Sequence, residues 1–246
     1  MELQAIKLSP LLDKLKEAIL KTLYPPTCAI CGELIPIGGW QDPLCEVCRK
    51  QIPYTTVTRC KQCEAEKQIG EICKNCITNF YMFHGAYYAF PYSDIRMGIH
   101  DFKFYNKKGN SKIYAELMGD FLLQNFKEVL QEIDYIHGVP MHENKIKRRG
   151  YNQADEMARD LGAYLDIPVR MDVLFRKEER TQQSRLSVEL RAENIKDAFG
   201  SHECTGDRML LVDDVFTTGS TLHECEKALY RNGAAAVYVY TLSSGK

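Results

Sequence analysis

The chain has 246 residues, 45% of them hydrophobic and 26% charged, with a formal net charge of −1. That length holds one or two domains, and the composition is that of a globular protein, which excludes disordered and fibrous classes. The near balance of charge excludes a uniformly basic nucleic-acid binder, so attraction to nucleic acid or acidic lipid has to come from a local patch.

The stretch from Met1 to Leu20 is broken by Lys7, Asp13, Lys14, Lys16 and Glu17. It is therefore no signal peptide, no membrane span is legible anywhere, and a cytoplasmic protein is predicted. Ser9-Pro10 reads as a helix start, with Ser9 as N-cap and Pro10 in the first turn. Leu8, Leu11, Leu12, Leu15, Ile19 and Leu23 share one face, and Tyr24-Pro25-Pro26 ends the helix. Eight of the 10 cysteines then fall into four Cys-x-x-Cys pairs: Cys28 and Cys31, Cys45 and Cys48, Cys60 and Cys63, Cys73 and Cys76. In a reducing compartment such pairs argue for metal rather than disulfides. Each places two thiolates on one side of a tight turn, and two pairs complete a tetrahedral Cys₄ zinc site. A redox Cys-x-x-Cys sits at a helix start in a thioredoxin-like pattern, which is absent here. Pairing neighbours gives two structural zinc sites, Cys28, Cys31, Cys45, Cys48 and Cys60, Cys63, Cys73, Cys76; an interleaved cross-brace is the alternative. The segment is short of large apolar residues, so metal supplies much of its folding energy.

From Phe80 the pattern changes. Phe83 to Tyr92 reads as a strand, and Ser93 as the cap of a helix through about Phe104. Lys103, Lys107 and Lys108 cluster around Phe104 and Tyr105; taken alone, that is a solvated helix end. A helix from about Ser111 to Leu130 follows. Tyr135 to Pro140 reads as a buried strand feeding a loop with four cations between Lys145 and Arg149. Loops at the carboxyl ends of parallel strands are where α/β sheets build their sites. Asn152 to Leu165 is an amphipathic helix with Ala154, Met157, Ala158, Leu161 and Leu165 inward. After a short strand near Val173 to Phe175, the charged segment Arg176 to Asn194 suits a lid, with an exposed helix over 187–196 as the rival. Cys204 and Cys225 have no Cys-x-x-Cys partner and read as packing or surface residues.

Met209 to Val212 is an apolar run suited to a strand buried on both faces. It is followed by Asp213 and Asp214, then Thr217-Thr218-Gly219-Ser220-Thr221, then a helix from about Leu222 to Arg231. Small hydroxyl residues and a glycine before a helix let backbone N–H groups converge on an anion. The acids cannot bind phosphate, but they accept hydrogen bonds from the hydroxyls of a sugar that carries one. The pattern points to a sugar phosphate, and it is not a Walker P-loop, since no Gly-Lys-Ser/Thr is present. Ala235 to Leu242 supplies a last strand.

The run from Met209 to Leu222 resembles the PRPP-binding motif of type I phosphoribosyltransferases. The resemblance puts the ribose hydroxyls on Asp213 and Asp214, and the 5′-phosphate on Thr217, Thr218, Gly219, Ser220 and Thr221. Three further features resemble the ComF family. They are the helix, Tyr-Pro-Pro and cysteine-pair opening; Val139-Pro140-Met141-His142 running into Arg148-Arg149-Gly150-Tyr151-Asn152-Gln153; and Arg176 through Thr181, Gln183, Leu186, Arg191, Asn194 and Phe199. This implies an α/β fold, a mostly parallel phosphoribosyltransferase-like sheet flanked by helices over 81–246, preceded by a small helix and double zinc ribbon over 1–80. It also implies PRPP with Mg²⁺, ribosyl 5-phosphate transfer with pyrophosphate release, and a role in natural transformation beside DNA-uptake proteins. Pyrophosphate contacts would then fall to the backbone of Pro140, Met141 and His142, with Arg148 or Arg149 and, less directly, Lys103 as cationic partners. The alternative is a non-catalytic module for single-stranded DNA. Its phosphate track would run along Lys103, Lys107, Lys108, Lys145, Lys147, Arg148 and Arg149, with Phe104, Tyr105 and Tyr151 stacking on bases.

Overall fold

The computed structural model describes residues 19, 25–36, 38–55, 82–177 and 197–245. The N-terminal helix other than Ile19, the second cysteine set (Cys60, Cys63, Cys73, Cys76), the expected lid Arg176 to Asn194 apart from Arg176 and Lys177, and the rival helix over 187–196 lie outside the described residues. In chain order the elements are α1 (Glu46–Lys50), β1 (Gly85–Pro91), α2 (Tyr92–Phe104), α3 (Asn110–Asn125), α4 (Lys127–Leu130), β2 (Tyr135–Gly138) and α5 (Glu143–Arg149). They continue with α6 (Gln153–Leu165), β3 (Leu174–Arg176), β4 (Phe199–Ser201), β5 (Arg208–Phe216), α7 (Ser220–Arg231) and β6 (Ala236–Ser244).

Four strands form one sheet in the order β1-β6-β5-β2, and every pairing in it is parallel. A parallel bridge from Ile136 to Val169 continues the sheet beyond β2. Strands buried on both faces should be continuously apolar, and β5 shows why. Met209 and Leu211 pack with Val237, Val239, Leu222, Cys225 and Leu229 under α7 and the antiparallel β3–β4 pair. Leu210 and Val212 join Tyr240, Phe90, Phe102, Tyr114 and Met157 on the face covered by α2, α3 and α6. Cys204 and Cys225 are both buried on the α7 side, as packing residues. The expected parallel sheet flanked by helices is thus present, and Cys28, Cys31, Cys45 and Cys48 precede it in the chain.

Local differences from the sequence reading have physical causes. The helix expected from Ser111 to Leu130 breaks at Phe126 (φ −143°, ψ 36°), whose ring packs 4.4 Å from that of Tyr87. Ser93 does not cap α2; its hydroxyl turns to the Asp94 carboxylate at 3.3 Å, and the helix starts after Pro91. The strand β5 does not stop at the acids but runs on to Phe216, because Asp213, Val215 and Phe216 stay in register with Thr241, Ser243 and Ser244 of β6. The basic stretch after β2 is not a loop: it forms α5, capped by the His142 ring nitrogen and ended by left-handed Gly150. β4 carries too few residues to stand out in the sequence and exists by pairing with β3.

The segment around the first four cysteines shares its core with the sheet. Cys28, Ala29, Ile30, Ile35, Leu44 and Cys48 are buried in the same cluster as Ile95, Phe102 and Tyr114. Tyr54 stacks on Phe90 and donates to Leu117 O at 2.9 Å, and Thr55 N–H reaches Ala89 O at 3.0 Å.

Candidate functional site

Two clusters of chemistry-bearing side chains stand out. The first is at the N-terminal side, where the thiols of Cys28, Cys31, Cys45 and Cys48 all lie within 4.8 Å of one another. Tetrahedral zinc with Zn–S near 2.3 Å requires sulfurs about 3.8 Å apart, and the Cys31 and Cys45 sulfurs are 3.7 Å apart. The backbone explains the set. Gly32 N–H closes the first Cys-x-x-Cys turn on Cys28 O at 2.9 Å, and Cys45 caps α1 by accepting the Cys48 N–H. Burial first, then the neighbouring Cys28 thiol, push Cys31 up to about 11, against the opposing effect of the Glu33 N–H. Four thiolates this close need a dication to exist together, so the donor set fits zinc.

The second cluster lies at the carboxyl ends of the parallel strands, the edge on which open α/β sheets place ligands. Asp213 and Asp214 sit in the last part of β5, half-buried. Lys103, from the last turn of α2, puts its Nζ 2.8 Å from Asp214 Oδ1, with the two side chains 21% and 13% exposed. Asp213 Oδ1 accepts the Asp214 N–H at 2.8 Å. Burial first and then the Asp214 charge push the Asp213 carboxyl up to about 7, against Lys103 and Lys145, which favour its charged form.

Beyond β5 the chain turns through exposed Thr217 and Thr218 into Gly219, whose φ of 77° is left-handed and suits glycine. The Thr218 hydroxyl meets the Ser220 hydroxyl at 2.8 Å, and α7 begins at Ser220. The first N–H groups of a helix have no intrahelical acceptor, and they carry the positive end of its dipole. Thr221, half-buried, is in that first turn.

Across from the acids, Pro140, Met141 and His142 are half-buried between β2 and α5, and His142 Nδ1 accepts the Asn144 N–H at 3.1 Å. A helix separates the cations that the sequence showed only as a run. Lys145, Arg148 and Arg149 are spaced i, i+3, i+4 and share a side, whereas Lys147 pairs with Glu143 at 3.5 Å. Burial, followed by the charges of Arg176, Arg149, Arg148 and Lys103, pulls Lys145 below the ordinary lysine range. Four cations thus act on Lys145, and Lys145 and Lys103 both act on Asp213. Lys145 and Arg176 were not singled out for this site by the sequence; the helical spacing of the basic run was the available signal for the first. Arg176 is held over the Phe199 ring at 5.3 Å, across the β3–β4 pair.

The Arg149-to-Gln153 stretch is largely architecture. Arg149 donates to Gln153 Oε1 at 3.0 Å and lies 5.4 Å from the Phe104 ring centre. Asn152 caps α6 through the Ala154 N–H and also donates to Val139 O at 3.0 Å. Tyr151 is buried and its hydroxyl donates to Phe102 O, so it is not a stacking platform for bases. Phe104 and Tyr105 are exposed, with the His100 ring 5.1 and 5.5 Å away. Lys108 is engaged with Glu156 at 3.1 Å. His137, also unforeseen, is buried, and its Nε2 accepts the Leu174 N–H at 3.1 Å, tying β2 to β3. Among the described residues no helix is long and apolar enough to cross a membrane.

Residues 19–77 match the Double zinc ribbon domain and residues 146–245 the Phosphoribosyl transferase domain. Competence protein F of Haemophilus influenzae is 34% identical over 82% of this chain and 91% of its own length. DNA utilization protein YhgH of Escherichia coli K12 is 32% identical over 89% of this chain and 96% of its own. Competence protein ComFC of Bacillus subtilis is 25% identical over 82% and 84%. With a cysteine knuckle that fits zinc on a parallel phosphoribosyltransferase-like sheet, and relatives of this kind aligned over most of its length, the chain belongs to the ComF family.

Proposed function

We propose that the chain binds PRPP as its Mg²⁺ complex and transfers the ribosyl 5-phosphate group to a nitrogen nucleophile, releasing pyrophosphate. The observation that carries this reading is the Lys103–Asp214 ion pair beside Asp213, with Lys145 of α5 also acting on Asp213 and with Arg148, Arg149 and, from β3, Arg176 acting in turn on Lys145. Cations brought this close repel one another until an anion of high charge density is bound. In this reading Asp213 and Asp214 take the ribose hydroxyls, and Thr217 to Thr221 take the 5′-phosphate at the start of α7. Pyrophosphate lies against Pro140 to His142, with Lys145, Arg148, Arg149 and Arg176 as cationic partners. Lys103 stays beside Asp214 and orients its carboxylate towards the sugar. With one carboxylate engaged by Lys103 and the other inclined to its neutral form, the site suits a Mg²⁺ that comes on the ligand and keeps its waters, not one held in a protein cage.

The C1–O bond to pyrophosphate breaks, pyrophosphate leaves with the bonding pair, and the lone pair of the incoming nitrogen forms the C1–N bond. The chain's part is to hold the sugar and stabilise the charge on the leaving group. Residues 1–80 serve as a ribbon with two structural zinc ions and residues 81–246 as the ligand-binding unit. Incubation with PRPP, Mg²⁺ and a panel of nucleobases and amines, with pyrophosphate release as readout, tests the transfer; no release above the metal-only control with any acceptor would contradict it.

A second reading, a module for single-stranded DNA, is favoured by the exposed Phe104 and Tyr105 beside basic side chains. The names of the relatives, which speak of competence and DNA utilization, point the same way. The two readings share the cations and are compatible.

A further inference from the structure

The helix that carries Lys103 is seated on the first cysteine knuckle, and this contact is closer than ordinary packing. Gly98, in the middle of α2, brings its N–H to Ile30 O at 3.2 Å. A Cβ on Gly98 would fall inside the van der Waals shell of Ala29 O, so no other residue lets the knuckle approach so near. Ala29 O also accepts the buried Tyr114 hydroxyl at 2.7 Å. One turn further along α2, the Thr27 hydroxyl donates to Asp101 Oδ2 at 3.0 Å. Gly32, left-handed at φ 78°, lies against Met97. Residues 27 to 32 thus touch α2 at positions 97, 98 and 101, and the same helix delivers Lys103 to Asp214. Its last turn is fixed on the other side by the Tyr151 hydroxyl on Phe102 O.

We propose that the metal-loaded knuckle is the seat that positions Lys103, so that metal occupancy at Cys28, Cys31, Cys45 and Cys48 is linked to ligand binding at the acid pair. Thr27 and Gly98 are then positioning residues: neither ligates the metal nor touches the ligand, and both act through α2. This rests on the reading of the cysteines as a zinc site and of the acid pair as the PRPP site. Without metal the four thiols no longer hold the two turns together, the surface under Gly98 loosens, and Lys103 leaves Asp214 part of the time. Linkage makes the effect reciprocal, so a ligand that favours the seated helix slows metal loss by a matching factor.

The test uses the full chain as purified with its metal, the Thr27→Val, Thr27→Ser and Gly98→Ala variants, and wild type after treatment with a chelator. Three quantities are read: acylation of Lys103 by an amine reagent, mapped by peptide mass spectrometry against Lys112 and Lys127, which are exposed; metal release to a coloured chelator; and PRPP·Mg²⁺ affinity by calorimetry. The expected result is a several-fold rise in Lys103 labelling on metal removal and in Gly98→Ala, with Lys112 and Lys127 unchanged. A smaller rise is expected in Thr27→Val and wild-type behaviour in Thr27→Ser, which keeps the hydroxyl. PRPP affinity falls in the same order, and PRPP slows metal release. Unchanged Lys103 labelling in metal-free wild type and in folded Thr27→Val, or a rise shared equally by Lys112 and Lys127, would overturn the proposal. A wild-type chain that ignores PRPP while Lys103 labelling follows the metal would sink the PRPP reading and leave the coupling standing.

Discussion

Asp213 and Asp214 are neighbours in sequence but sit in different surroundings: Asp214 has the Lys103 ammonium at 2.8 Å, and Asp213 has its neighbour's backbone N–H. Because the folded Asp213 carboxyl is pushed up to about 7, against roughly 3.9 in an unfolded chain, the folded state holds more protons between these values. Its contribution to stability is therefore full below roughly pH 4 and is lost as pH rises through about 7. Asp213→Asn removes that loss, on the order of 4 kcal/mol at most, so the variant melts higher than wild type at pH 8 and no higher at pH 4; thermal melts at the two pH values check this. The acids were legible because an apolar strand, two carboxylates and a Thr-Thr-Gly turn are contiguous. Their partner was not, since Lys103 lies 111 positions away and only the fold brings it there.

The basic run after β2 shows what changes when a loop turns out to be an element. Read as a loop, Lys145 to Arg149 is a cloud of charge; as α5, capped at His142 and closed at Gly150, it sends Lys147 to Glu143 and leaves three cations on another side. The cap was hard to see because histidine is an uncommon N-cap beside Ser, Thr, Asp and Asn. Tyr151, expected to stack on bases, instead ties α2 to the start of α6 through Phe102 O. Tyr151→Phe should lower stability by about 1 kcal/mol, or roughly 2–4 °C in melting temperature for a chain of this size, without changing DNA affinity. A fall in DNA binding at unchanged melting temperature would restore its stacking role. At α1 the cysteine spacing predicted the metal set, but not that Cys28 would share a core with Phe102 and Tyr114. Cys28→Ser should therefore lower the melting temperature of the whole chain and not only loosen the ribbon; an unchanged main transition with the metal lost would show the two parts to be independent.

For the whole molecule, the alternation of strands and helices after residue 80 made the parallel sheet legible, because β5 and β6 are apolar enough to be buried on both faces. The order β1-β6-β5-β2 was not legible, since it depends on crossovers that local patterns do not record. The net charge of −1 hides the local group of cations about Lys145. If single-stranded DNA uses that group, each phosphate neutralised adds about −0.7 to the log–log salt slope. A Lys145→Ala/Arg148→Ala/Arg149→Ala chain should then show a visibly flatter slope, and an equal slope would move the DNA track elsewhere. The central claim, a PRPP site built on the acid pair, is tested most directly by calorimetric titration of PRPP·Mg²⁺ into wild type and into Asp213→Ala/Asp214→Ala. A hydrogen bond to a charged group contributes about 1.5–3 kcal/mol, so the double variant should bind PRPP on the order of tenfold more weakly or worse, while ribose 5-phosphate still finds the Thr217–Thr221 turn. Undiminished PRPP affinity in a folded double variant would contradict the account.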